Sequence, residues 1–225
     1  MRYVAPLLVA LLLLNGCAPE VPTASSSEAL PVSSFPINFD PLCGGRPAGR
    51  AARIYDECGS QMDIFQRALE EAQATGKTVI VSYGAEWCVW CHVFDSHVNG
   101  ATGRFNYPNT PSWTSVERSR RDVPRDARAL NQFASENIIL AHIEGDKSPD
   151  GRAVLEATGA ATHFSGGLPF IFSVTPEGRF GAAVDLEHLD AEQAAPFYQG
   201  YDRAVLLAEL RRVRNIARSA PSTAP

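Results

Sequence analysis

The chain has 225 residues, 45% of them hydrophobic and 20% charged, with a formal net charge of -5 at pH 7. This is an ordinary globular composition, and its mild acidity argues against nucleic acid as a partner. Five cysteines, at positions 17, 43, 58, 88 and 91, make the redox compartment the next question.

The N-terminal end reads as a leader. Arg2 supplies a positive end, and residues 4–14 form an apolar run too short to span a bilayer comfortably but suited to a signal-peptide core. The run ends in LNGC at 14–17, which resembles the lipobox of bacterial lipoproteins. That resemblance implies removal of a signal peptide, 1–16, and lipidation of Cys17. The mature chain would then be anchored in the bacterial cell envelope through its lipid alone, facing the periplasm. Several acyl chains on one residue anchor stably where a single chain does not. Ala18 follows the cysteine, where inner-membrane lipoproteins often carry Asp, so the outer membrane is favoured. The alternative is a plain secretory signal with Cys17 near the cleavage site.

Residues 17–58 then read as a tether. Its first part is rich in Ser and Pro and too poor in large apolar residues to fold. The tail, 219–225, reads the same way, leaving one domain at 59–218. With Cys17 lipidated, four cysteines remain in an oxidising compartment and allow three pairings. Cys88 and Cys91 are close enough to pair locally. Cys43 with Cys58 is then the natural second bond, a structural link worth about 3 kcal/mol if unstrained. A second redox pair is the other reading of Cys43 and Cys58.

Ser60 with Asp63 marks a helix start, and Ile64, Phe65, Ala68, Leu69 and Ala72 recur at helical spacing up to a stop at Gly76. Residues 78–83, TVIVSY, form a short β-branched apolar run that predicts a buried strand. Next comes AEWCVWCH, in which Cys88 and Cys91 are separated by two residues, followed by a segment with helical spacing. Residues 137–146 predict a further strand and turn, and 151–160 a short helix. Leu168-Pro169 precedes a strand at 170–174, a turn at 175–178 built on Pro176 and Gly178, and an edge strand at 179–184. Val205, Leu206, Leu210, Val213 and Ile216 line one face of a closing helix at 202–218.

This order, with AEWC leading into CxxC and a later Leu-Pro before an apolar strand, resembles the thioredoxin-like superfamily over about 61–218. The resemblance implies a three-layer α/β/α fold with a central mixed sheet, and a thiol–disulfide oxidoreductase that needs no cofactor. Only a thiolate attacks a disulfide, and a free thiol near pKa ~8.5 is mostly inert at neutral pH. A helix N-terminus stabilises the anion. Cys88 is therefore expected to be the exposed nucleophile, and Cys91, one turn in and more buried, the resolving thiol. Pro169 is expected to be cis, leaving the Leu168 backbone free to pair with an extended substrate, and Trp87 to cover the site. Substrates would be cysteine-containing exported proteins, with a further redox partner that the sequence does not name.

Three departures qualify that picture. Ser82 stands where thioredoxins commonly carry a buried acid, which leaves Glu86 or His92 as candidates for proton transfer. The intervening Val89-Trp90 brings no charge to Cys88. A long insertion, about 99–127, follows the active-site helix and reads either as a substrate-contacting flap or as a solvated excursion. Two other functions compete. Cys88, Cys91 and His92 fit C-x-x-C-H, the covalent c-type haem site, although Leu168-Pro169 has no place there. A redox-inert or metal-binding module on the same scaffold is the other, although a zinc site wants four ligands and one CxxC supplies two.

Overall fold

The computed structural model describes residues 29–39, 53–101, 105–106, 124–189, 197–198 and 200–220. The leader, Cys17, Cys43, most of the insertion and the tail beyond residue 220 lie outside the described residues. The fold is mixed α/β. In chain order it runs β1 (Ser33–Phe35), α1 (Gln61–Thr75), β2 (Thr78–Gly84), α2 (Val89–Val98), β3 (Phe105–Asn106), α3 (Arg125–Asn137), β4 (Ile138–Glu144) and α4 (Gly151–Thr158). A short 3-10 turn (Ala160–His163) then leads to β5 (Phe170–Val174), β6 (Phe180–Ala183), β7 (Phe197–Tyr198) and α5 (Arg203–Ser219). Five strands form one sheet in the order β1-β4-β2-β5-β6, and β3 pairs with β7 apart from it.

β2 and β4 are parallel and wholly buried, while β5 joins β2 antiparallel. Alternate residues of these strands feed two apolar cores, one on each face. Ile80, Leu140 and Ile171 pack with Phe94 of α2, Leu130 of α3 and Leu206, Leu210 and Val213 of α5. Val79, Val81, Ile139, Ile143 and Phe172 pack with Ile64, Phe65 and Leu69 of α1 and Val154 and Leu155 of α4. Among the described residues no helix is long and apolar enough to cross a membrane.

Local chemistry accounts for most boundaries. Ser60 caps α1 by accepting the Asp63 N–H at 3.2 Å, and Gly76 closes that helix at φ 69°. The Gly178 N–H donates to the Thr175 carbonyl at 2.9 Å and tightens the turn between β5 and β6. The Leu168–Pro169 peptide bond is cis, and so is Phe35–Pro36.

Three expectations need correction. The stretch read as a tether contributes β1, which lies parallel to β4 at the sheet edge with Val32 and Phe35 buried. Buried Asn131 holds this stretch: its Oδ1 accepts the Leu30 N–H at 2.7 Å and its Nδ2 donates to the Leu30 carbonyl at 2.9 Å. The insertion ends earlier than read, because α3 begins at Arg125 with Ala127, Leu130, Asn131 and Ala134 forming a buried i, i+3, i+4, i+7 stripe. In α5 the inward face is Leu206, Leu210, Val213 and Ala217, whereas Val205 and Ile216 are 39% and 42% exposed. The small Ala217 faces in opposite Gly181 of β6, where a Cβ would fall 2.7 Å from Ser173 Oγ and 3.0 Å from the Ala217 Cβ.

Two features yield predictions. Gly151 opens α4 against the Glu144 carbonyl, where a Cβ would collide with backbone that cannot yield. Gly151→Ala is expected to destabilise the chain by about 3 kcal/mol in urea unfolding. Asp150 joins α4 to α1 by accepting the Gln61 N–H at 2.9 Å and the Ser60 hydroxyl at 3.2 Å. Burial pushes this carboxyl up, but hydrogen bonds from Ser148, Gln61, Met62 and Ser60 together hold it below its ordinary 3.8. Its folded value being depressed, the stabilisation is present above 3.8 and is lost as pH falls through the folded value. Asp150→Asn is therefore expected to be less stable than the parent at pH 7, with the gap narrowing at pH 2, as read by denaturant midpoints.

Candidate active site

β2 ends at Gly84 and the chain turns into α2 through residues 85–88. The Cys88 N–H donates to the Ala85 carbonyl at 2.9 Å, which places Cys88 as the N-cap of α2 at φ -75° and ψ 109°. Its Sγ accepts the Cys91 N–H at 3.3 Å, one of the donors a helix N-terminus leaves unpaired. Cys88 and Cys91 form a disulfide, with Cα atoms 5.3 Å apart. Leu168, the first residue of the cis pair, packs against the apolar cluster that contains both cysteines, as do Ile54 and Trp90. Pro169 is buried beside it in sequence.

Two readings of this region are corrected. Cys88 was expected to be open to solvent, yet it is only 4% exposed, and Cys91 is fully buried. Part of the cover comes from Ile54 and Tyr55, in a segment that the sequence assigns to a loop ahead of the domain, with Trp90 and Leu168 packed on the same cluster. Tyr55 is wholly buried in the cysteine cluster, and Asp56 is 4% exposed, so the folded unit begins before residue 59. Glu86 is the reason: its Oε2 accepts the N–H groups of Ile54 and Tyr55 at 3.1 and 3.0 Å and pins that segment against the site. Cys58 is disulfide-bonded; Cys43, its expected partner, lies outside the described residues. Trp87, expected to cover the site, is 50% exposed, and its indole Nε1 donates to Asp146 Oδ2 at 2.8 Å. Trp90 packs against the cysteine cluster.

Beneath the disulfide lies a group of polar side chains that the sequence reading did not assemble. Tyr55 Oη and Ser82 Oγ are 2.8 Å apart. Burial pushes the Tyr55 hydroxyl well above its ordinary value; the Ser82 hydrogen bond opposes this, while Asp95, Glu144 and Glu86 add to it. Tyr55 is a neutral phenol at any physiological pH. A Cβ on Gly84 would fall 2.5 Å from both Cys91 Sγ and Tyr55 Oη, so these atoms lie within about 5 Å of each other across the bare glycine. Ser82 is in register with His142 on β4. His142 Nδ1 donates to the Phe35 carbonyl at 3.3 Å, and Asp95 Oδ1 sits 3.2 Å from Nε2, off the line of a hydrogen bond. The His142 ring meets Tyr55 edge-on at 5.4 Å. Glu144, wholly buried, accepts the Glu86 N–H at 3.1 Å through Oε2 and the Asp146 and Lys147 N–H groups through Oε1. It thus fixes the turn that carries Glu86.

This arrangement can hold a thiolate at Cys88 and supply a hydroxyl to Cys91. It is poorly suited to covalent haem. His92 is 7% exposed, and its Nε2 lies 2.8 Å from the Glu86 carbonyl and 3.6 Å from Glu86 Oε1, so the nitrogen an iron would need faces backbone and carboxylate. Among the described residues no three His, Cys, Asp or Glu side chains converge as a metal site. No protein-family model matches the chain, and no curated protein matches it in sequence.

Glu86→Ala strands two N–H groups, that of Tyr55 being buried. The loss is expected to be about 3 kcal/mol, with faster reduction of Cys88–Cys91 by a small thiol as residues 53–58 loosen. Urea unfolding and a thiol-capture time course read the two effects separately.

Proposed function

We propose that this chain is a thiol–disulfide oxidoreductase of the thioredoxin-like type, lipid-anchored through Cys17 in a bacterial cell envelope and facing the periplasm. One observation carries the reading: a CxxC disulfide at the N-cap of α2 with the cis Leu168–Pro169 turn packed against it. The sheet order and the helices on both faces are compatible with that fold. Exported proteins bearing cysteines are the substrates, and a further redox partner resets the dithiol.

In the oxidising direction, a substrate thiolate attacks Cys88 Sγ. The Cys88–Cys91 bond breaks, and its electron pair leaves with Cys91. A second substrate thiolate then attacks the substrate sulfur of the mixed disulfide, and Cys88 departs as a thiolate held by the Cys91 N–H and the helix N-terminus. In the reducing direction Cys88 attacks first, and Cys91 then displaces the substrate from Cys88. The burial of Cys88 fits this scheme if the substrate strand enters beside Leu168 and Ile54, two of the partly exposed apolar residues that border the cluster. Neither direction requires a bound cofactor.

The test uses the mature chain and a peptide with a single disulfide. Cys91→Ser is expected to hold the peptide covalently on Cys88 until dithiothreitol is added, while Cys88→Ser holds none. A glutathione series on the parent chain gives its potential and so its direction. A parent chain that exchanges no disulfide with peptide or glutathione refutes the reading, as does a purified chain carrying a covalent Soret-absorbing group.

A further inference from the structure

Tyr55 has no part in the scheme above, and the sequence offers no reason to place it there. It reaches the site from outside the sheet, 27 residues before its hydroxyl partner Ser82. It arrives because Glu86 holds its backbone N–H, and its hydroxyl fits because Gly84 has no side chain. The result is a buried O–H beside the sulfur that becomes an anion each time the disulfide opens. A thiolate in an apolar interior is strongly disfavoured unless a donor is aimed at it.

We propose that the Tyr55 hydroxyl is the hydrogen-bond donor that stabilises the Cys91 thiolate, with Ser82 as its second hydroxyl. The inference rests on the exchange reading for its biological use but not for its physical content. When a substrate thiolate takes Cys88 Sγ, the sulfur–sulfur bond breaks and the electron pair stays on Cys91. The Tyr55 O–H then points toward that sulfur, and Ser82 donates its own hydrogen to Tyr55 Oη. No proton leaves Tyr55, since burial keeps the phenol protonated. Its role is therefore donation rather than base catalysis. In the reverse step the same bond holds Cys91 as the anion that attacks Cys88 and expels the substrate thiolate.

Other ionisable groups face this pair. His142 contacts the Tyr55 ring at 5.4 Å and His92 at 6.5 Å, and Asp95, Glu144 and Glu86 impose negative potential on the phenol. Those carboxylates oppose a second anion at Cys91, which makes a neutral donor the effective stabiliser at this depth. It also distinguishes Tyr55 from Glu86 and His92, the two candidates that the sequence suggests. The Glu86 carboxylate serves the N–H groups of residues 54 and 55, and His92 Nε2 lies against the Glu86 carbonyl.

The experiment titrates the fully reduced chain, labelled with 13C at cysteine Cβ, and follows the Cys91 resonance by NMR. Tyr55→Phe keeps the ring and removes the hydroxyl. It is expected to raise the Cys91 pKa by about one unit and to leave Cys88 unmoved, an asymmetry that mere loosening of the fold does not give. Ser82→Ala is expected to move Cys91 the same way by less, and it serves alone if Tyr55→Phe fails to fold. In stopped-flow release from a mixed disulfide, Tyr55→Phe is expected to be about three-fold slower at neutral pH. The thiolate becomes tenfold scarcer, but a more basic thiolate is a better nucleophile. A folded Tyr55→Phe or Ser82→Ala chain with an unshifted Cys91 titration overturns the proposal. Failure of exchange with an intact Tyr55-dependent shift sinks the enzymatic reading alone.

Discussion

A missing side chain at the end of β2 governs this site. Gly84 lets Cys91 Sγ and Tyr55 Oη approach over the same point, each 2.5 Å from where a Cβ would sit. Any larger residue would separate them, lifting either α2 from the strand or residues 53–58 from the cysteines. The packing there follows from that contact: a wholly buried tyrosine, a buried disulfide, and Leu168, Trp90 and Ile54 closing the cluster. Glu86 and Glu144 then lock the two loops in series, one holding residues 54 and 55 and the other holding the turn that carries Glu86. Two buried carboxylates are tolerated because their hydrogen bonds come from backbone N–H groups, which have few alternatives once out of water.

Much of the scaffold was legible because its signals are local. Ser60, Gly76 and the apolar stripe between them specify α1 from neighbouring residues, and TVIVSY specifies β2 by composition. The turn after β5 follows from Pro176 and Gly178, whereas the cis Leu168–Pro169 bond is implied only by the resemblance to the thioredoxin-like superfamily. The stripe of α3 is also present in the sequence, at Ala127, Leu130, Asn131 and Ala134, but the prolines and arginines just ahead of it read as a continuing insertion.

What was not legible depends on contacts between distant positions. Tyr55 lies in a segment whose composition reads as loop, and its partners, the Glu86 carboxylate 31 residues on and the Ser82 hydroxyl 27 residues on, are distant in sequence. β1 is three residues long in a stretch rich in serine and proline, and its partner β4 lies more than a hundred residues away. No periodicity can express such a pairing. The burial of Cys88 escapes the sequence for the same reason: a helix N-cap is open by default until another segment closes it.

β1 also has a mechanical consequence. It is the sheet's edge strand, three residues in parallel register on β4, and tension applied to the chain ahead of it would be borne there before reaching the buried strands. Peeling β1 would remove the Phe35 carbonyl from His142 Nδ1, leaving a buried N–H without its acceptor next to Asp95 and under the Tyr55 ring. A pull on the leading end would thus be felt as a change of polarity beneath the Cys88–Cys91 disulfide.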